Sequence, residues 1–116
     1  MQTSKLQAGD VVRVSVNFGG QHKVRPAIVL EVGNRGVYVA LGTTKNLIND
    51  KSSFVVNEDA DMRAMGLKFH TRFSFGHEAD QWVEPQQVER IVGHITAQTV
   101  SRLGHAWANS RFVRAH

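Results

Sequence analysis

Three short apolar runs, none longer than six residues, occupy Val11 to Leu41 and are separated by glycine-bearing segments. Runs this short and this closely punctuated fit strands and leave no room for an amphipathic helix. Val11-Val12-Arg13-Val14-Ser15-Val16 alternates after its first residue, so Val12, Val14 and Val16 share one face and Arg13 and Ser15 the other. That is the pattern of a half-buried strand. Pro26 opens Ala27-Ile28-Val29-Leu30-Glu31-Val32, which is apolar without alternation and reads as a better-buried strand. Gly33-Asn34-Arg35-Gly36 supplies turn chemistry, and Val37-Tyr38-Val39-Ala40-Leu41 follows as the other arm of a hairpin. Asn17 to Lys23, with Gly19 and Gly20, reads as a mobile loop between the first two strands.

Gly42 to Ser53 is polar and loop-like, Phe54-Val55-Val56 is a short strand, and Asn57 to Met65 holds a helical turn with Met62 and Met65 on one side. Phe69, Thr71, Phe73 and Phe75 then share a face, which assigns them to the core, while His70, Arg72 and Ser74 form a polar stripe behind. Gly76 to Asp80, including His77 and Glu78, is the turn that follows; Gln81-Trp82-Val83 and Val88 to Ile91 complete the strands around Pro85. Thr96 is placed to cap a terminal helix, with Ile95 and Val100 as a hydrophobic staple and Val100, Leu103 and Trp107 as its buried stripe. Arg102 and His105 fall on the exposed face, and Trp82 and Trp107 read as core or interface anchors. Roughly five to seven short strands with one helix make a mainly β fold, a compact antiparallel barrel.

At 116 residues the chain supports one domain, residues 1–116, with a short N-terminal extension over 1–8 and a basic tail over 110–116. Lys plus Arg minus Asp plus Glu is 14 − 10 = +4, a balance suited to phosphate or to an acidic partner. The absence of Cys removes disulfides, thiolate metal sites and Cys nucleophiles, leaving His, Arg, Lys, Ser, Thr and carboxylates to carry any chemistry. The six His are scattered without a helical i, i+4 metal pair, so neither metal nor other cofactor is expected. No stretch approaches the roughly 20 apolar residues of a membrane span, and Met1 to Asp10 holds no leader-like run, so the expected location is the cytoplasm.

Gly9-Asp10-Val11-Val12-Arg13-Val14, then Arg25-Pro26-Ala27-Ile28-Val29-Leu30, then Val37 to Thr44 resembles, in that order, the MazF/PemK family of toxin ribonucleases. Gly66 to Phe75 and Arg90 to Thr96 resemble the family's later strands more loosely. The resemblance implies an SH3-like barrel of the MazF, CcdB and PemK kind, with a C-terminal helix. It also implies a homodimer, inhibited by a cognate antitoxin, that cleaves single-stranded RNA without metal. In such a reaction the 2′-OH attacks the neighbouring phosphorus and leaves a cyclic phosphate and a 5′-OH.

The site residues follow from the same resemblance. Arg25 matches the family's active Arg, and its planar fork suits two phosphoryl oxygens at once. Thr43 matches the catalytic Thr, with Thr44 one residue away as a substitute. Arg72 is a second phosphate contact or a proton donor, and Ser74 stands where some members carry an Asp. His22 precedes the Arg-Pro pair, as a His does in some relatives, and His70 shares the face of Arg72; either imidazole suits proton transfer near neutral pH. Phe18, Lys23 and Lys45 lie in the segments expected to select and hold RNA, alongside Thr44, His70 and Ser74. The Ser74 departure keeps two further readings open: a barrel that has lost catalysis and serves as a binding module, and a gyrase poison of the CcdB kind.

Overall fold

A computed structural model describes residues 5–47, 50–76 and 79–114, the side chains of Phe18 and of 111–114 excepted. The elements are β1 (Asp10–Phe18), β2 (Gln21–Val32), β3 (Val37–Thr43), β4 (Ser53–Val56), α1 (Asp59–Met65), β5 (Thr71–Ser74), β6 (Asp80–Val83), a 3-10 turn at Pro85–Gln87, β7 (Val88–His94) and α2 (Ala97–Arg114). All strand pairs are antiparallel, in the order β4-β5-β3-β2-β1-β7, with β6 also on β3.

The segment expected to be a mobile loop is instead the tip of a long hairpin. Gly19 and Gly20 have φ of +56° and +81°, and the β1–β2 ladder runs without interruption from Val11↔Ile28 to Phe18↔Gln21. Two adjacent residues at positive φ make a turn whose twist matches the strands it joins, and two glycines adopt it without steric cost. The polar residues around them continue the ladder, which periodicity alone did not show.

The three central strands are apolar on both faces. Val12, Val14, Val16, Ala27, Val29, Val39 and Leu41 face one cluster, closed by Val83, Val88 and Leu6. Val11, Ile28, Leu30 and Ala40 face a second, filled by Phe54, Val56, Met65, Phe73, Phe75 and Ala106. Burial on both sides explains why β2 does not alternate. Leu6 is buried although it falls in the stretch read as an extension, and the helix runs on through Arg114, so most of the expected tail is helical.

The outer edge of β3 is shared. Val37 to Ala40 pair with β6, whereas Gly42 and Thr43 pair with Phe73 and Arg72 of β5. At Gly42 a Cβ would lie 2.7 Å from Thr71 Cγ2 and 2.8 Å from a Phe73 ring carbon, so β5 approaches this closely because the residue is glycine.

Four expectations about burial are corrected. Phe69 is 67% exposed because β5 begins only at Thr71 and the alternation does not extend back to it. Val100 is 50% exposed: α2 docks through Thr99, Leu103, Ala106 and Ser110, with Trp107 stacked on Phe75 at 5.7 Å. Arg102 is not on a solvated face, since its guanidinium sits 5.5 Å from the centre of the Phe54 ring. Of the two readings given to Trp82, core or interface anchor, the core one falls: it is 55% exposed and lies against Tyr38 and Gly33. Thr96 does cap α2, its hydroxyl accepting the Thr99 N–H at 3.2 Å while donating to Asp61 at 2.7 Å. Among the described residues no helix is long and apolar enough to cross a membrane.

Helix α1 ends at Gly66 (φ +69°) and presses on β7, where a Cβ at Gly93 would stand 2.3 Å from the Ala64 carbonyl oxygen. Because the obstacle is backbone, Gly93→Ala is expected to destabilise the fold by about 2–3 kcal/mol, measured by denaturant unfolding with an unchanged m-value.

Candidate functional site

Pro26 has no N–H to donate, and the β2–β3 ladder ends beside it at Ala27↔Leu41. Arg25 and Thr43 each stand two residues beyond that last pair, on the face of Ala27 and Leu41. Across β3, Thr43 is paired with Arg72. Arg25, Thr43 and Arg72 therefore lie along one row crossing β2, β3 and β5.

Two cavities open on the row, and both are lined by Arg25 and Thr43. The larger, about 550 Å³, is lined among the described residues by six cations, Arg13, Lys23, Arg25, Lys45, Lys68 and Arg90, and by no carboxylate. Arg13 and Arg90 face each other across β1 and β7, and among the described residues neither forms an ion pair. Like charges placed opposite one another cost stability. The smaller cavity, about 290 Å³, holds Arg72, Ser74, Asp50 and Ser52 beside Arg25 and Thr43.

Arg72 is held from one side. Its Nη2 donates to Asp50 Oδ2 at 3.0 Å, while its buried Nε has no hydrogen-bond partner. Asp50 is itself oriented by Ser52, whose N–H and hydroxyl donate to Oδ1 at 2.9 and 3.2 Å. Burial alone would raise the Asp50 carboxyl, but the hydrogen bonds of Ser52 and Ser53 and the Arg72 charge outweigh it and hold the group below its usual range. Thr43 Oγ1 accepts the Lys45 N–H at 3.2 Å, a bond that leaves the hydroxyl proton for another acceptor.

Of the residues singled out from sequence, Arg25, Thr43, Arg72 and Ser74 meet at the smaller cavity, and Lys23, Thr44 and Lys45 line the larger. His22 lines neither. Three positions from Arg25, it sits on the opposite face of β2, its Nε2 2.8 Å from Ser15 Oγ. His70 is exposed just before β5 and also lines neither cavity, while the side chain of Phe18 and the whole of His77 lie outside the described residues. Arg13, Lys68, Phe69, Arg90 and Asp50 were not singled out. The outward parity of Arg13 was readable, but its neighbour Arg90 lies far along the chain and only strand pairing joins them.

The architecture has counterparts among solved structures. A Mycobacterium tuberculosis toxin, MazF-mt6, superposes with a TM-score of 0.67 over 87% of this chain and 94% of its own, at 20% identity. The chain has the MazF fold. An endoribonuclease in complex with its cognate antitoxin, from a mycobacterial species, superposes with a TM-score of 0.66 over 88% of this chain and 90% of its own, at 13% identity. No family model and no curated protein sequence matches, so the likeness is one of three-dimensional structure. On this MazF fold the Arg-Pro pair of β2 and the Thr ending β3 come to one row. Ser74 leaves β5 without a carboxylate two residues after Arg72, and Asp50, from the loop before β4, supplies one from the other side.

Two outcomes follow from these charges. The stabilising contribution of Asp50 is complete above about pH 4, the unfolded value, and is lost as pH falls through its lower folded value, so the stability gap between wild type and Asp50→Asn closes in acid when followed by thermal unfolding. Arg90→Gln raises stability by roughly 0.2–1 kcal/mol at low ionic strength, and the gain fades in about 1 M salt.

Proposed function

We propose that this chain is a MazF-like toxin endoribonuclease that cuts single-stranded RNA without a metal ion. The observation that carries the reading is the row of Arg25, Thr43 and Arg72 at the mouth of a groove lined by cations. In the reaction a 2′-oxygen bonds to phosphorus as the P–O5′ bond breaks, the 2′-OH proton passes to solvent water and the departing 5′-oxygen takes a proton from solvent. Negative charge grows on the phosphoryl oxygens meanwhile, and two guanidinium groups flanking that point lower the barrier without reorganising. Arg25 is the main contact and Arg72 the second. Guanidinium groups stay protonated at any working pH, which favours charge stabilisation over proton donation as the role of Arg72. Thr43, between them, directs its hydroxyl proton to the scissile phosphate.

None of His22, His70, His94 and His105 lines either cavity, so these four are given no part in proton exchange. The groove's charge also suits an acidic antitoxin segment, and one of the similar structures was solved in complex with its cognate antitoxin. The active form is read as a homodimer in the cytoplasm, the state that the family resemblance implies.

Purified protein in EDTA is expected to cut a long mixed-sequence RNA at discrete sites, leaving cyclic phosphate and 5′-OH ends. Arg25→Ala, shown to be folded, loses about 10²–10³-fold in rate. A folded Arg25→Ala of full activity would overturn the assignment of Arg25, and a folded wild type that cuts nothing would favour a binding barrel or a gyrase poison. The rate is expected to show no step near pH 6.5, where an unperturbed imidazole titrates.

A further inference from the structure

Phe69 stands at the lip of the larger cavity and is 67% exposed, the largest exposure among the exposed bulky apolar side chains of the described residues. Its position is pinned rather than loose. Gly66 ends α1 in a left-handed conformation so close to β7 that a Cβ would fall 2.3 Å from the Val92 oxygen. The Leu67 N–H donates to the Met62 carbonyl at 2.8 Å, and the Thr71 hydroxyl donates to the Phe69 carbonyl at 2.8 Å. An aromatic ring is thus held in water on a fixed loop, beside Lys68 and facing a cavity with cations on its walls and, among the described residues, no carboxylate. Val24, also partly exposed, adds an apolar patch to the same cavity. The volume, about 550 Å³, falls within the ~300–1,000 Å³ of sites that enclose small molecules.

A face for stacking beside a line of positive charge is the combination that holds an unpaired nucleotide, with the base on the ring and the phosphate on the cations. Arg13 and Arg90, opposed across β1 and β7, point the same way: Arg13 donates only to the Val24 carbonyl at 3.5 Å, neither has an ion pair among the described residues, and a bound phosphate would offset their like charges. We propose that this cavity binds one nucleotide of single-stranded RNA next to the scissile phosphate, its base stacked on Phe69. The inference rests on the ribonuclease reading for the scissile position but not for the binding itself. Phe69 is then a binding residue that governs RNA affinity and has no part in the chemical step.

The test uses the full chain and a fluorescently labelled single-stranded RNA whose 2′-hydroxyls are methylated, so that it binds without being cut. Phe69→Ala is expected to weaken binding about 10-fold, Phe69→Trp to restore it to within about twofold, and Phe69→Leu to remain weak because it lacks a ring face. The salt slope of log K stays the same across these variants, whereas Lys68→Ala makes it shallower by about one contact. With cleavable RNA, Phe69→Ala raises KM with kcat nearly unchanged. Unchanged affinity in Phe69→Ala, or Trp performing no better than Leu, overturns the proposal. So does a wild type that binds an acidic peptide through Phe69 but no RNA. If wild type binds the methylated RNA through Phe69 yet leaves unmodified RNA intact, the stacking site stands and the ribonuclease reading falls.

Discussion

The distance between β3 and β5 at Gly42 decides whether there is a site at all. Phe73 and Thr71 occupy the space a side chain at 42 would need, and their packing brings the intervening Arg72 into register with Thr43. Two residues away, at Ala40, the edge of β3 passes to β6. On the other side Pro26 ends the ladder to β2 and leaves Arg25 beyond it. A missing Cβ and a missing N–H, at two neighbouring points of the sheet, thus bring three polar side chains to one row and open the space in front of them.

That row sits in rigid surroundings. The central strands are packed on both faces, so the backbone positions of Arg25 and Thr43 are set by the two clusters rather than by the polar residues themselves. Charge is then placed where the fold by itself would not favour it. Among the described residues six cations line the larger cavity, two of them opposed across a strand pair, while Asp50 faces the smaller cavity and is committed to Arg72.

Strand content was legible because the apolar runs are short and their periods clean; the antiparallel β fold with its terminal helix follows from Val12, Val14, Val16, the Gly33–Gly36 turn and the cap at Thr96. Three things were not legible. The Gly19-Gly20 hairpin hid inside a polar stretch, since a ladder outside the core carries no hydrophobic period. Phe69 shared the parity of Phe73 and Phe75 but lay before the strand began. Asp50 has no local signal at all, being brought to Arg72 by the loop before β4. The Arg25–Thr43 neighbourhood was accessible through family resemblance, whereas the cationic wall of Arg13, Lys68 and Arg90 needed the strand register.

The loop that presents Asp50 has a second attachment. Asn109 of α2 donates to the Lys51 carbonyl at 3.0 Å, one residue along from the carboxylate that holds Arg72. The last helix and the guanidinium are therefore ends of a single lever whose fulcrum is the 50–53 turn. A chain cut before Asn109 keeps every strand of the sheet but loses that tether, and a ligand that pulls on the far turns of the helix is mechanically connected to the Arg72 guanidinium.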